Sequence, residues 1–130
     1  MAHPNEEIAR GVTEALSNRD MDAFFGYQTD DVVLHFPGRG PMAGDYRGRE
    51  GMGQLFQQQM QILDSPPAIE IHDVLANDDH AVVLNTVRAS RGGQTTEQRQ
   101  VVVMHFKDGK VAETWLQFSD QQGMDEMASS

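Results

Sequence analysis

His35 is the side chain in this sequence best suited to move a proton near neutral pH. An imidazole titrates in that range, so it can serve as a general base or as a hydrogen-bond donor to a substrate carbonyl. It lies in the apolar run Val32-Val33-Leu34-His35-Phe36, just before Pro37 and a loop with Gly38, Gly40, Gly44 and Gly48. Proline removes a ladder donor and glycine permits positive φ, so the loop stops the strand and turns away. It carries Arg39, Tyr46 and Arg47 beside an apolar wall that includes Phe36. Pocket rims are built this way. Arg39 is suited to hold a carboxylate or a polarised carbonyl, and either Arg39 or Tyr46 to stabilise a developing oxyanion. Plainer roles stand beside these: a half-buried histidine bonded to backbone, and arginines in exposed pairs with Asp30, Asp31 or Asp45.

Other candidates carry less. On the last apolar run Trp115 and Gln117 share one strand face, and Thr114, Leu116 and Phe118 the other, so either set can line a pocket. His105 reads as an outer-face residue, His72 and His80 as surface residues, and His3 as part of a floppy terminus. No HxH, HExxH or carboxylate triad is present, so no metal site is expected. There is no P-loop, dinucleotide fingerprint or nucleophile elbow, and no cofactor is expected.

These residues must be held by one domain spanning residues 1–130, the expectation for a chain of 130 residues with 38% hydrophobic content. Ten basic against twenty acidic residues leave a formal charge of −10, which opposes nucleic acid and anionic membrane surfaces. The absence of cysteine removes disulfides, thiol nucleophiles and thiolate metal sites. No apolar run nears the ~18 residues of a membrane span, and the N-terminus lacks the basic and apolar regions of a signal peptide. A cytoplasmic protein is expected.

Asn5 is placed to cap a first helix, with Ile8, Val12, Ala15 and Leu16 at helical spacing. Ser17-Asn18-Arg19 breaks it, and Asp20 caps a short second helix with Met21, Phe24 and Phe25. Val32 to Phe36 is the first strand. After the glycine loop, Met52, Leu55, Phe56, Met60 and Leu63 form the stripe of a third helix, with Gln57-Gln58-Gln59 on its solvated face. Ser65-Pro66-Pro67 ends it. Four strands follow: Ala68 to Ala76, Ala81 to Ser90, Thr95 to Phe106 and Val111 to Phe118, the last pair joined by the tight Asp108-Gly109 turn. Residues from about 120 to 130 read as a loosely held tail, in which Met124 and Met127 are able to dock. The order α-α-β-α-β-β-β-β predicts an α+β fold, with three helices packed in the concave face of a curved, mostly antiparallel sheet. Such a cone can keep a partly unfilled interior. Its outer face is expected to be covered in a homodimer.

Several segments in this order resemble the SnoaL-like branch of the nuclear transport factor 2-like superfamily, the ketosteroid isomerase-like fold. They are residues 15–24 at the first helix corner, Asp30 to Gly38, Gly44 to Glu50, and Phe106 to Trp115 at the final hairpin. The resemblance implies a pocket for an apolar, carbonyl-bearing small molecule. It also implies two kinds of activity: cofactor-independent proton transfer (isomerase, cyclase or hydratase, including a polyketide cyclase-like lyase), or non-catalytic binding and interaction. The ketosteroid isomerases have a carboxylate base where this chain has Phe36, a tyrosine near Val12 and an aspartic acid near Val102, so their acid-base groups are missing. The polyketide cyclases pair a carboxylate near the last strand with a histidine. That comparison offers Asp120 and either His35 or His105 for those roles; Asp120 and His35 are the catalytic candidates, with Phe36, Arg39, Tyr46, Trp115 and Gln117 as the expected substrate-binding residues.

Overall fold

Alternation along each strand divides the sheet into a face that meets the helices and a face that turns away. In the computed structural model, which describes residues 3–129, the chain runs α1 (Pro4–Ser17), α2 (Met21–Gly26), β1 (Gln28–Phe36), β2 (Gly44–Arg47), α3 (Gly48–Ile62), β3 (Ala68–Ala76), β4 (His80–Arg91), β5 (Gln94–Lys107), β6 (Lys110–Phe118) and α4 (Gln121–Ser129). The strands form one sheet in the order β2-β1-β6-β5-β4-β3. All neighbours are antiparallel except β1 and β6. The architecture is the expected α+β one.

Ala9, Val12, Phe24, Met52 and Leu55 from the helices bury against Val32, Leu34, Phe36, Val83, Val102, Met104 and Val111 from the sheet. Fully burying a valine, leucine, phenylalanine or methionine side chain contributes roughly 1.5–3 kcal/mol. Asp20 caps α2 as its residue type predicts, accepting from the Ala23 amide at 3.2 Å. At α1 the cap is His3 rather than Asn5: the His3 ring accepts from the Asn5 amide at 3.1 Å and lies 2.9 Å from Asp78. Asn5 is buried and donates to the Asn77 and Asp78 carbonyls, tying α1 to the β3–β4 turn.

Three segments differ from the expected elements. The glycine loop contains β2, whose Asp45 and Tyr46 pair with His35 and Leu34 of β1. Gly48 then turns the chain into α3 at φ +66, where a Cβ would stand 3.0 Å from the Asp30 carbonyl. Within α3, Met60 is 74% exposed and Gln59 takes the inward position. At about 100° per residue, position 59 lies roughly 20° from the line of Met52, and position 60 roughly 80° from it. Finally, the segment after residue 120 is a helix. Met124 and Ala128 of α4 are buried, and Arg91 of the β4–β5 hairpin donates to the carbonyls of Met127 and Ala128. The aspartate Asp125 fixes its other side by accepting from the Arg39 amide at 3.0 Å.

Candidate functional site

The concave face and the helices enclose a cavity of about 110 Å³. This far exceeds the ~10–15 Å³ that one water needs. Its walls are mainly apolar, including Leu34, Phe36, Leu55, Val102, Leu116, Phe118 and Met124. Phe36 packs on Phe118 with ring centroids 5.8 Å apart. Arg19, Thr13, Gln28, Gln59, Asn85, Gln100 and Thr114 supply the polar lining. Among the described residues, no carboxylate, imidazole, phenol or amine lines this cavity.

Polar atoms come together at the middle of the sheet. Asn85 of β4 stands opposite Gln100 of β5, in a cross-strand row that runs Ile71, Asn85, Gln100, Phe118. Asn85 Nδ2 donates to Gln100 Oε1 at 3.1 Å. Asn85 is 4% exposed, and its Oδ1 is buried with no partner among the described residues. Gln98, two residues along β5, is different. Both ends of its amide engage the backbone of Asp120, donating at 2.7 Å and accepting at 3.0 Å. An unmet acceptor like Asn85 Oδ1 costs about 1–3 kcal/mol.

Arg19 is the one exposed residue in the lining, so it marks the mouth. It follows α1 in the left-handed region at φ +59, between an Arg19 amide bond to the Leu16 carbonyl and an Asp20 amide bond to the Ala15 carbonyl. That is the Schellman ending of a helix, whose left-handed position is usually glycine. Partial burial holds the guanidinium pKa below its ordinary value. The helix-breaking sequence marked the position but gave no sign that its side chain reaches the cavity. Asn85 did carry a signal, being the polar residue in the inward alternation Ala81, Val83, Asn85, Val87, Ala89, and Gln100 follows Gln98 as a second polar residue at an inward position of β5.

His35 and Asp120 do not meet. Val32, Leu34 and Phe36 take the inward face of β1, so His35 is turned outward. There its Nε2 lies 2.5 Å from Glu113 and its Nδ1 2.7 Å from Asp45, and its ring stacks on Trp115 at 5.5 Å. A neutral imidazole has one N–H, so facing both carboxylates requires the cation. The Glu113 hydrogen bond, with help from Asp45, outweighs burial and raises the pKa above 6.5. Asp120 instead caps α4, accepting from the Gly123 amide at 2.9 Å.

Of the five expected substrate-binding residues, Phe36 lines the cavity; Arg39, Tyr46, Trp115 and Gln117 lie outside it. Trp115 and Gln117 share the outward face of β6, because Thr114, Leu116 and Phe118 point in. Tyr46 donates to the Met42 carbonyl at 2.7 Å, and burial raises its pKa. Gln58, expected in solvent, donates to the Pro41 carbonyl at 2.6 Å and so holds the same loop to α3. Arg39 is exposed.

A curved sheet closed by helices over an apolar interior defines the nuclear transport factor 2-like class of small α+β proteins. Residues 9–114 match the SnoaL-like domain, and the chain belongs to that family. An uncharacterized protein of Mycobacterium tuberculosis is 24% identical over 106 residues, covering 81% of each chain. Among solved structures, Bal32a from a soil-derived mobile gene cassette superposes with a TM-score of 0.89 at 28% identity, over 97% of each chain. TerC, co-crystallized with polyporic acid, superposes with a TM-score of 0.88 at 20% identity, over 98% of this chain and 100% of its own.

Proposed function

We propose that this chain binds an apolar small molecule in the cavity between its helices and the concave sheet, and does so without side-chain acid–base catalysis. The observation that carries this reading is the composition of the lining. General acid–base work needs a group of suitable pKa within hydrogen-bond reach of the substrate. Arg19, the titratable side chain of the lining, stays charged at neutral pH. TerC, which shares this fold, was co-crystallized with polyporic acid, and this supports the small-molecule reading.

The test is titration with anilinonaphthalene sulfonate, whose rings suit the walls and whose anion suits Arg19. Saturable one-to-one binding is expected. It should be lost in Val87→Phe, which fills the cavity from β4. Equal binding by that variant would place the probe elsewhere and defeat the reading.

The partner proposed for the outer face is a second copy of this chain. A cross-strand row of His35, Trp115, Val103, Val82 and Leu75 spans the sheet there, and Leu75 is 52% exposed. Such a face gains by pairing with its own copy.

A further inference from the structure

We propose that Arg19 makes the cavity selective for an amphipathic organic anion, with a carboxylate held by the guanidinium at the mouth and an apolar body inside. An aryl carboxylate has this chemistry. The inference rests on the cavity-binding reading above and adds the charge class of the ligand.

Backbone conformation supplies the first argument. Arg19 and Asp108 are the non-glycine residues at positive φ among the described residues. Asp108 has a local reason, because the Asp108-Gly109 turn joins β5 to β6 and such tight turns call for positive φ at both positions. The Schellman ending at Arg19 calls for glycine, or for a short polar side chain that tolerates the left-handed region, and arginine is neither. Strain kept by a side chain that the turn does not need points to a use for that side chain elsewhere. The cavity is where it leads: Arg19 lines it and is the sole charged residue among the described lining residues.

Electrostatics supplies the second. The arginines in ion pairs among the described residues are Arg10, Arg49 and Arg88, and Arg91 donates to the carbonyls that end α4. The Arg19 guanidinium has no carboxylate or carbonyl partner among the described residues, and burial alone shifts its pKa. Asp20, next in the chain, turns its carboxylate to the Ala23 amide. Burial lowers the Arg19 pKa, so the charged end itself, and not only its stem, lies against the protein. A cation held there gains from an anion, and the planar fork of arginine matches a carboxylate with two hydrogen bonds. The molecule as a whole carries −10 and repels anions at long range. Selection for an anion therefore has to be local. Arg19, exposed at the mouth, keeps the head group of a ligand near solvent while its body enters the apolar walls.

Calorimetry with 2-naphthoate and 2-naphthamide, a neutral molecule of nearly the same shape, tests the assignment. The wild-type protein should bind naphthoate about three- to tenfold more tightly, the range of a partly exposed, charge-assisted pair. Arg19→Asn, which suits the left-handed position, should remove that preference by weakening naphthoate, and Arg19→Lys should keep part of it. Arg19→Gly serves in place of Arg19→Asn if the latter does not fold. If naphthamide binds the wild type as tightly as naphthoate, the anion class falls while the cavity reading stands. If Arg19→Asn weakens both ligands equally, the side chain acts by shaping the mouth, and the assignment falls. If Arg19→Asn keeps the preference, another group selects the anion, and the assignment falls again. If neither ligand binds the wild type, or both bind Val87→Phe unchanged, the cavity reading fails and takes this one with it.

Discussion

The His35 imidazole lies 2.5 Å from the Glu113 carboxylate, on the face of the sheet that turns away from the cavity. The two residues come from β1 and β6, the one parallel neighbour pair, and Asp45 of β2 approaches the other ring nitrogen at 2.7 Å. A residue suited by type to catalysis is thus a charged clasp across three strands.

That clasp has a pH signature. His35 has its pKa raised in the folded protein, so its stabilising contribution is complete below the unfolded value of 6.5 and is lost as pH rises through the folded value. Melting temperature should therefore fall by a few degrees as pH rises above about 6.5. Partial exposure of the carboxylates limits the contribution to about 1 kcal/mol. In His35→Gln this part of the pH dependence should vanish. An unchanged slope would mean that other groups carry it.

Arg19→Gly separates folding from binding. Glycine relieves the left-handed strain of roughly 1–2 kcal/mol but brings its own entropy cost of roughly 0.5–1 kcal/mol. Denaturant titration should show equal or slightly higher stability. The affinity for anilinonaphthalene sulfonate should drop about tenfold or less, as expected for one charge at a wet mouth. A large stability loss would show that the arginine side chain braces the fold.

Met124→Ala tests α4 as a wall of the cavity. Met124 is 4% exposed and lines the interior. Its truncation should cost about 2–5 kcal/mol in urea unfolding. A cost near zero would show that α4 contributes little to the packed core.

Val103→Glu addresses the outer face. It sets a charge between Trp115 and Val82 in the cross-strand row. Light scattering should give a dimer mass for the wild type and a monomer mass for the variant, with unchanged far-ultraviolet dichroism. A monomeric wild type would remove the dimer from the proposal.

Much of this molecule is written locally. The period of Ile8, Val12, Ala15 and Leu16, the Asp20 cap and the Asp108-Gly109 turn each specify their element through nearby atoms alone, and their order places the chain in its family. Two short elements escaped. The four residues of β2 have a ladder partner only once β1 is in place, and α4 is stabilised by Arg91 and Arg39, distant in sequence.

What tertiary structure decided was parity. Alternation sorts the residues of β1 and β6 into two faces, but the helices choose which face becomes interior. On β1 the choice was legible, since Val32, Leu34 and Phe36 are uniformly apolar and His35 belongs to the other set. On β6 it was not, because Trp115 is as able to fill a core as Leu116 or Phe118. That choice sends Trp115 to stack on His35 outside and leaves Asn85 and Gln100 facing an apolar space inside. The strand pattern sets neighbours two residues apart, whereas the cavity is made by residues brought together from both helices and sheet.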